Sequence, residues 1–235
     1  MTTSGTATFN LDLNSLVEEA FERCGAELRT GYDLRTARRS LNLLTIEWAN
    51  RGINLWTIEQ GTVALVQGTL SYNLPVDTID LLDHVIRTGT GTTQSDVNIA
   101  RISSSEYASI SSKNVQGRPV QVWIDRQSGA TDPSTGVAYP TINVWPIPDT
   151  TYTFVYWRLR RIQDAGDDGI ATSDIPFRFL PALVAGLSFY LSMKLPGAAE
   201  RIGMLKGEYA EQMAMATEED REKTSLRLVP RVAYQ

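Results

Sequence analysis

The sequence has little of several features that define common functional classes. It contains one cysteine, Cys24, and one histidine, His84, so one chain cannot form an internal disulfide or a Cys/His zinc site. The longest uncharged apolar run, Phe179–Met193, has 15 residues, fewer than the ~20 that a membrane-spanning helix needs. The amino terminus lacks the pattern of a signal peptide. We therefore expect a soluble protein made in the cytoplasm, with no membrane partner, and Cys24 as a small core residue.

Motifs that would support catalysis or metal binding are also missing. No GxxxxGK[ST] or GxGxxG run occurs. The aspartates of QDAGDDG (residues 163–169) lack the spacing and terminal glutamate of an EF-hand loop, so we predict a turn. His84 adjoins Asp83, but adjacent side chains point differently, so a surface or strand-end histidine is expected. We expect no enzymatic activity, metal or cofactor; a small hydrolase is an alternative that lacks a coherent acid–base set.

Charge is distributed unevenly along the chain. The net charge is −5, which argues against general affinity for DNA phosphates. The last eleven residues, SLRLVPRVAYQ, contain two arginines and no acid. They are either a frayed terminus or an arm that docks on another protein by strand addition or in a groove. Apolar groups clustered with arginines favour a docking arm, whose residues are Leu226, Arg227, Leu228, Val229, Pro230, Arg231, Val232 and Tyr234.

Two helices are predicted near the amino terminus. The first has an apolar face with three- and four-residue spacing, Asp12 or Ser15 as N-cap, and Gly25 at its end. The second runs from about Asp33 to Arg51 and is stopped by Gly52. It has a heptad-like seam suited to packing along another helix, made of Leu34, Ala37, Leu41, Leu44 and Trp48.

The middle of the chain changes to period two, which is typical of strands. Alternation is clearest at Leu70–Leu74, Val120–Ile124, Ile142–Val144 and Tyr152–Tyr156. Polar loops are predicted at 88–95 and 128–140, and a short helix at 103–113. Two further helices are predicted after the strands. The first runs through about residue 195, with a separate turn before Pro181 or a kink at it, and the second covers about 198–223.

The resulting fold class is α+β, in three parts. A helical bundle of about four helices is predicted from residues 11–52 and 174–224. An inserted antiparallel β-rich domain spans 53–173, and residues 225–235 form an extended carboxy-terminal arm.

Two features point to self-association. Phe179–Met193 is apolar on nearly every face, so it must be covered either by the chain's own elements or, as we expect, partly by a neighbouring subunit. Charged stripes on the first two helices are either solvated faces or complementary surfaces that pair head to tail in a closed ring. Exposed pairs contribute only ~0–1 kcal/mol each and would set register. The stripes are Glu18, Glu19 and Glu22, and Arg35, Arg38 and Arg39.

Three tryptophans suggest a different class of function. Trp123, Trp145 and Trp157 lie on predicted strands and could form a stacking platform for sugars, as in a carbohydrate-binding module. Packing in the core or between subunits is the favoured interpretation.

Several stretches resemble, in order, the podovirus head-to-tail adaptor family, also called tail tubular or head-completion proteins. The family's G-x-x-x-Y-x-L-P-x-D run is matched by Gly68, Tyr72, Leu74, Pro75 and Asp77, within a segment (GTVALVQGTLSYNLPVD) that resembles the family's strand pair. GRPVQVWID (117–125), INVWPIPD (142–149) and IPFRFLPALVAGLSFYLSMKLPG (175–197) follow. Together they cover most of residues 12–224.

The resemblance implies a structural, non-enzymatic protein of the virion head–tail junction. It implies a homo-oligomeric, dodecameric ring whose helices surround a DNA channel, with the arm reaching the portal protein. The polar loops would contact the tail nozzle or tail fibres, through Thr90, Thr92, Gln94, Asp132 and Ser134. Duplex DNA would pass without specific binding, because an acidic body repels phosphate. Glu218, Glu219 and Asp220 are candidate channel-facing acids.

Overall fold

A computed structural model of the chain describes residues 4–53, 55–126, 138–166 and 171–221. Helices and strands are mixed, so the α+β class is confirmed. In chain order the elements are α1 (Leu13–Arg23), α2 (Gly31–Arg51), β1 (Ile58–Leu65), β2 (Ser71–Asn73), β3 (Thr78–Thr88), β4 (Ser95–Asn98), β5 (Ala100–Ile102), α3 (Ser104–Ser109), β6 (Gln121–Asp125), β7 (Thr141–Trp145), β8 (Tyr152–Arg160), α4 (Leu180–Ser192) and α5 (Ile202–Glu219).

The chain divides into two compact units. Residues 1–56 and 162–235 form the helical unit, which contains α1, α2, α4 and α5. Residues 57–161 form the β unit, which contains α3 and the strands named above. The sequence places the corresponding boundaries at 52/53 and 173/174, so the connection before α4 lies in the helical unit and not in the β-rich part.

The first two helices begin at side chains that satisfy free backbone N–H groups. Asp12 caps α1, since its carboxylate accepts a hydrogen bond from the Ser15 N–H at 2.7 Å. Thr30 and Asp33 form a reciprocal capping box at the start of α2, with distances of 3.2 and 3.0 Å. Gly52 ends α2 with φ +81°, a conformation that costs glycine little.

Helix α4 is the centre of the helical unit and packs against α1, α2 and α5. A 3-10 turn, Phe177–Phe179, precedes it, and Pro181 lies in its first turn, where proline costs no hydrogen bond. The alternative of a turn before Pro181 is therefore confirmed. Asp174, a possible capping residue shortly before this turn, does not cap α4, because its carboxylate accepts a hydrogen bond from the Gln163 N–H.

The apolar segment is covered mostly within one chain, so its burial does not by itself require a neighbouring subunit. Partial cover by a neighbour stays a prediction. Ten of the thirteen residues of α4 are buried within a single chain, because α1, α2 and α5 each bring an apolar face to it. The hydroxyl of Ser188 donates to the Val184 carbonyl at 2.7 Å, and that of Ser192 to the Phe189 carbonyl at 2.7 Å. Burial of these serines therefore leaves no hydroxyl unsatisfied.

The β unit contains two sheets that share one apolar core. One has the order β1-β8-β3-β4, and the other the order β2-β7-β6-β5, in which β5 and β6 are parallel. Buried residues from both sheets form one cluster that includes Leu65, Ile86, Val122, Ile142 and Phe154. The strand pair expected in GTVALVQGTLSYNLPVD is wrong, because β1 pairs with β8 whereas β2 pairs with β7.

The run of residues 68–77 after β1 takes the chain from the sheet that contains β1 to the sheet that contains β2. Gly68 has φ +77°, and the Tyr72 hydroxyl closes the turn. That hydroxyl accepts from the Val66 N–H at 2.9 Å and donates to the Thr69 carbonyl at 2.9 Å. The glycine and tyrosine of the motif thus have structural roles.

The end of the same run is held by an arginine from β8. Leu74 is buried in the core of the β unit, and Asp77 binds the buried guanidinium of Arg158. Partial burial disfavours the Asp77 carboxylate, yet the hydrogen bonds and charge of Arg158 keep its pKa below the usual 3.8. Arg158 also donates to Thr78 and Glu59, at 2.9 and 2.8 Å.

Candidate interaction surfaces

The acidic stripe of α1 is only partly free. Glu19 forms an ion pair with Arg23 at 2.9 Å, and Arg23 also binds Glu208 of α5 at 2.6 Å. Glu18 and Glu22 are exposed and, within the described residues, form no ion pair. Two of the three predicted glutamates therefore remain available to a partner.

The arginine stripe of α2 is divided in the same way. Arg38 is half-buried and engaged within the chain. Arg35 and Arg39 are exposed, and no acid of the described ranges pairs with either of them.

An apolar groove lies between α1 and α4, and Glu18 and Glu22 are on its rim. We call it the α1/α4 groove. Phe9 and Phe177 are 76% and 71% exposed, large values for phenylalanine. The groove was not predictable from the sequence, because its lining comes from the segment before α1, from α1 and from the start of α4, which are distant along the chain. The apolar lining residues are Phe9, Leu11, Phe177, Leu180, Pro181 and Val184.

A second groove lies between α4 and α5 and has an ordered polar floor. Glu47 accepts hydrogen bonds from the hydroxyls of Tyr190 and Tyr209, at 2.5 and 3.2 Å, and forms an ion pair with Arg51. Burial, reinforced by Glu47, raises the pKa of each tyrosine to about 12. Both phenols are therefore neutral donors at physiological pH, and the network is satisfied without a partner.

The predicted channel-facing acids are at and beyond the end of α5. Glu218 is exposed and borders the α4/α5 groove. Asp220 is half-buried, and its carboxylate accepts from the Leu55 N–H at 3.4 Å. The side chain of Glu219 lies outside the described residues.

The first polar loop is the tip of the β3–β4 hairpin. Thr90, Thr92 and Gln94 are exposed there. Below them Arg87 binds Asp96 through two hydrogen bonds, at 2.8 and 2.9 Å, which fix the base of the hairpin. Residues 127–137, with the predicted Asp132 and Ser134, and the whole arm from Leu226 to Gln235 lie outside the described residues.

The three tryptophans do not form one platform. Trp123 and Trp145 lie on the same sheet, whereas Trp157 belongs to the other. Trp123 stacks on Tyr107 with ring centres 5.0 Å apart. The Trp145 indole N–H donates to the Ser112 carbonyl at 3.0 Å. Their geometry therefore supports packing within the β unit and gives no support to sugar stacking.

The lone cysteine and histidine are both buried. The Cys24 thiol donates to the Ser188 carbonyl at 3.2 Å, and burial raises its pKa to about 11, so the prediction of a core residue is confirmed. His84 is buried in β3 and stacks on Phe154 with ring centres 5.9 Å apart. The expectation of a surface or strand-end histidine is therefore wrong, because His84 lies within β3 (Thr78–Thr88) and is buried. Among the described residues no cluster of three or more His, Cys, Asp or Glu could hold a metal, and no helix could cross a membrane.

His84 makes the β unit sensitive to acid. Burial, followed by the charge of Arg101, lowers its pKa below the usual 6.5, and Asp83 only partly opposes this. The unfolded chain therefore binds a proton more readily than the folded one, so stability is lost as the pH falls below about 6.5. We expect His84→Phe, which keeps the stacking on Phe154, to unfold at a higher temperature than the native protein by a margin that widens under acid. A margin independent of pH in thermal melts would contradict this assignment.

Comparison with known proteins identifies the family. A family model described as "SU10 adaptor protein" matches residues 12–231. That range includes nearly all of both units and the first part of the predicted arm. A search of curated proteins returned no match. The chain therefore belongs to the SU10 adaptor protein family, whose members are structural adaptor proteins of phages.

Proposed function

We propose that this protein is a ring-forming head–tail connector of the virion. In this proposal about twelve copies surround the DNA channel, the carboxy-terminal arm binds the portal, and the exposed loops dock the tail nozzle or fibres. The proposal rests chiefly on the match to the adaptor family over residues 12–231. A domain assignment accompanies it: the helical unit is the ring body and the β unit is the docking part.

The negative net charge of the protein suits a channel through which DNA has to pass without binding. The net charge is −5 and the pI about 5.0, so phosphates are repelled and a duplex can slide. Glu218 is exposed on α5 and is our first choice for a channel-facing acid.

The arm is the part assigned to the portal. It combines apolar residues with Arg227 and Arg231 in a segment too short to form a core of its own. Such a segment gains most by adding to a sheet edge or filling a groove of another protein.

Deletion of residues 225–235 is expected to abolish portal binding and leave the fold intact. The physical reason is that α1, α2, α4 and α5 bury the core of the helical unit among themselves, and the two sheets bury that of the β unit. A pull-down with the cognate portal measures the binding, and far-ultraviolet circular dichroism checks the fold. A matched control replaces the arm with a Gly/Ser segment of the same length, which should also fail to bind. Undiminished capture of either variant would refute the assignment of the arm.

A further inference from the structure

The outer face of α2 carries a ridge that nothing in the described structure covers. Its residues recur at intervals of three and four, so they form one stripe. Tyr32 is 67%, Leu43 50% and Ile46 47% exposed. The ridge, called the α2 ridge below, consists of Tyr32, Arg35, Arg39, Leu43 and Ile46.

The α2 ridge and the α1/α4 groove have matching charge patterns. Arg35 and Arg39 are four residues apart on α2, and Glu18 and Glu22 are four residues apart on α1. Four residues of helix span about 6 Å, so the two cation positions and the two anion positions have the same spacing. Within one helix, two like charges four residues apart repel each other weakly. Contact between the two surfaces would place each arginine next to a glutamate and remove that repulsion.

Further positive charge lies beside the ridge. The Lys194 ammonium donates to the Ser40 hydroxyl at 2.7 Å. Partial burial, followed by the charge of Arg39, lowers the pKa of Lys194. The ridge thus has a local excess of positive charge that favours an acidic partner surface.

We propose that the α2 ridge of one copy occupies the α1/α4 groove of the next. Leu43 and Ile46 would cover the exposed Phe9 and Phe177, while the arginines meet Glu18 and Glu22. The ridge and the groove are different patches of one unit, so the contact is heterologous. Repetition of a heterologous contact builds a ring when the rotations between successive copies add up to a full turn. This inference rests on the proposed ring and names the surfaces that hold it.

Charge reversal tests the contact. Glu18→Arg/Glu22→Arg and Arg35→Glu/Arg39→Glu should each weaken self-association on the order of 30-fold, because attraction is replaced by repulsion at two positions. Assembly would be measured by sedimentation velocity and mass photometry, for the protein alone and with its portal. Circular dichroism verifies the fold, which these exposed positions should not disturb.

Recombination of the charges distinguishes direct pairing from a general charge effect. A 1:1 mixture of the two double variants should assemble, since each groove then faces a ridge of opposite sign. The quadruple variant should also assemble with itself but fail to join native copies. The matched control, Glu200→Arg/Glu211→Arg, makes the same charge change at exposed positions outside the groove and should assemble normally.

The outcomes separate this contact from the ring itself. If both double variants assemble as the native protein does, the ring stands and this contact is overturned. If both fail and neither the mixture nor the quadruple variant recovers, direct pairing of the two surfaces is overturned. If the native protein remains monomeric with and without portal, the proposed ring fails, and this inference fails with it.

Discussion

Replacement of Phe179 by alanine is expected to destabilise the helical unit by about 3–5 kcal/mol. The Phe179 ring is completely buried and lies between two tryptophans, with ring centres 6.4 Å from Trp48 and 5.1 Å from Trp56. Truncation would remove these contacts and leave a cavity in the centre of the core. Urea denaturation followed by far-ultraviolet circular dichroism, which reports mainly on the helices, measures the loss.

Phe177 provides the matched control two residues away. Its ring is exposed, so Phe177→Ala should change the free energy of unfolding by no more than about 0.5 kcal/mol. The same variant should weaken self-association if the α1/α4 groove receives a neighbouring ridge. Equal destabilisation by the two substitutions would show that the core does not depend on Phe179 as described.

The helical unit was predictable where one face of a helix is apolar and the ends carry capping residues. The seam of α2 and the cap at Asp12 are local signals, and both are confirmed. The role of α4 was not predictable in this way. A helix that is apolar on every face must be buried, but its sequence does not show which elements cover it. The covering faces come from α1, α2 and α5, and α1 and α2 are distant from α4 in sequence.

Pairing of strands was the least predictable feature. β1 pairs with β8, which lies almost the whole β unit away along the chain. Alternation reports which face of a strand is buried and contains no information about a distant partner. The resemblance suggested a strand pair within residues 61–77, and the true partner of β1 could not be inferred from alternation. The burial of His84 was missed for another reason, since the expectation rested on its neighbour Asp83 and not on the strand that contains both.

The candidate interface was predictable in its charges and not in its apolar part. Periodicity placed Glu18, Glu22, Arg35 and Arg39 on helix surfaces, and all four are exposed. Sequence could not show that Glu19 is neutralised by Arg23, which also binds α5. Leu43 and Ile46 of α2 fall outside the predicted seam, and such leftover apolar residues were the available signal for the ridge.

Substitution of Gly186 by valine is expected to destabilise the helical unit by about 3 kcal/mol. A Cβ atom at Gly186 would lie 2.8 Å from a methyl group of Leu44 and 2.9 Å from the ring of Tyr209. Glycine is therefore required because α2 and α5 both approach α4 at this position. Valine would also displace the Tyr209 hydroxyl, which donates to Glu47 and accepts from the Trp48 indole at 3.2 Å.

Gly207 in the exposed part of α5 is the control for helix propensity. A Cβ atom there meets nothing within 4 Å, so Gly207→Ala should stabilise the protein by about 0.5–1 kcal/mol, since alanine restricts the unfolded chain and favours helix. Gly186→Ala should gain the same free energy from helix propensity, but the crowding of its Cβ by Leu44 and Tyr209 should cancel that gain. Urea denaturation of the three variants gives the comparison. If Gly186→Ala stabilised as much as Gly207→Ala, the close approach of three helices at Gly186 would be refuted, and α4 could not be the packing centre of the unit.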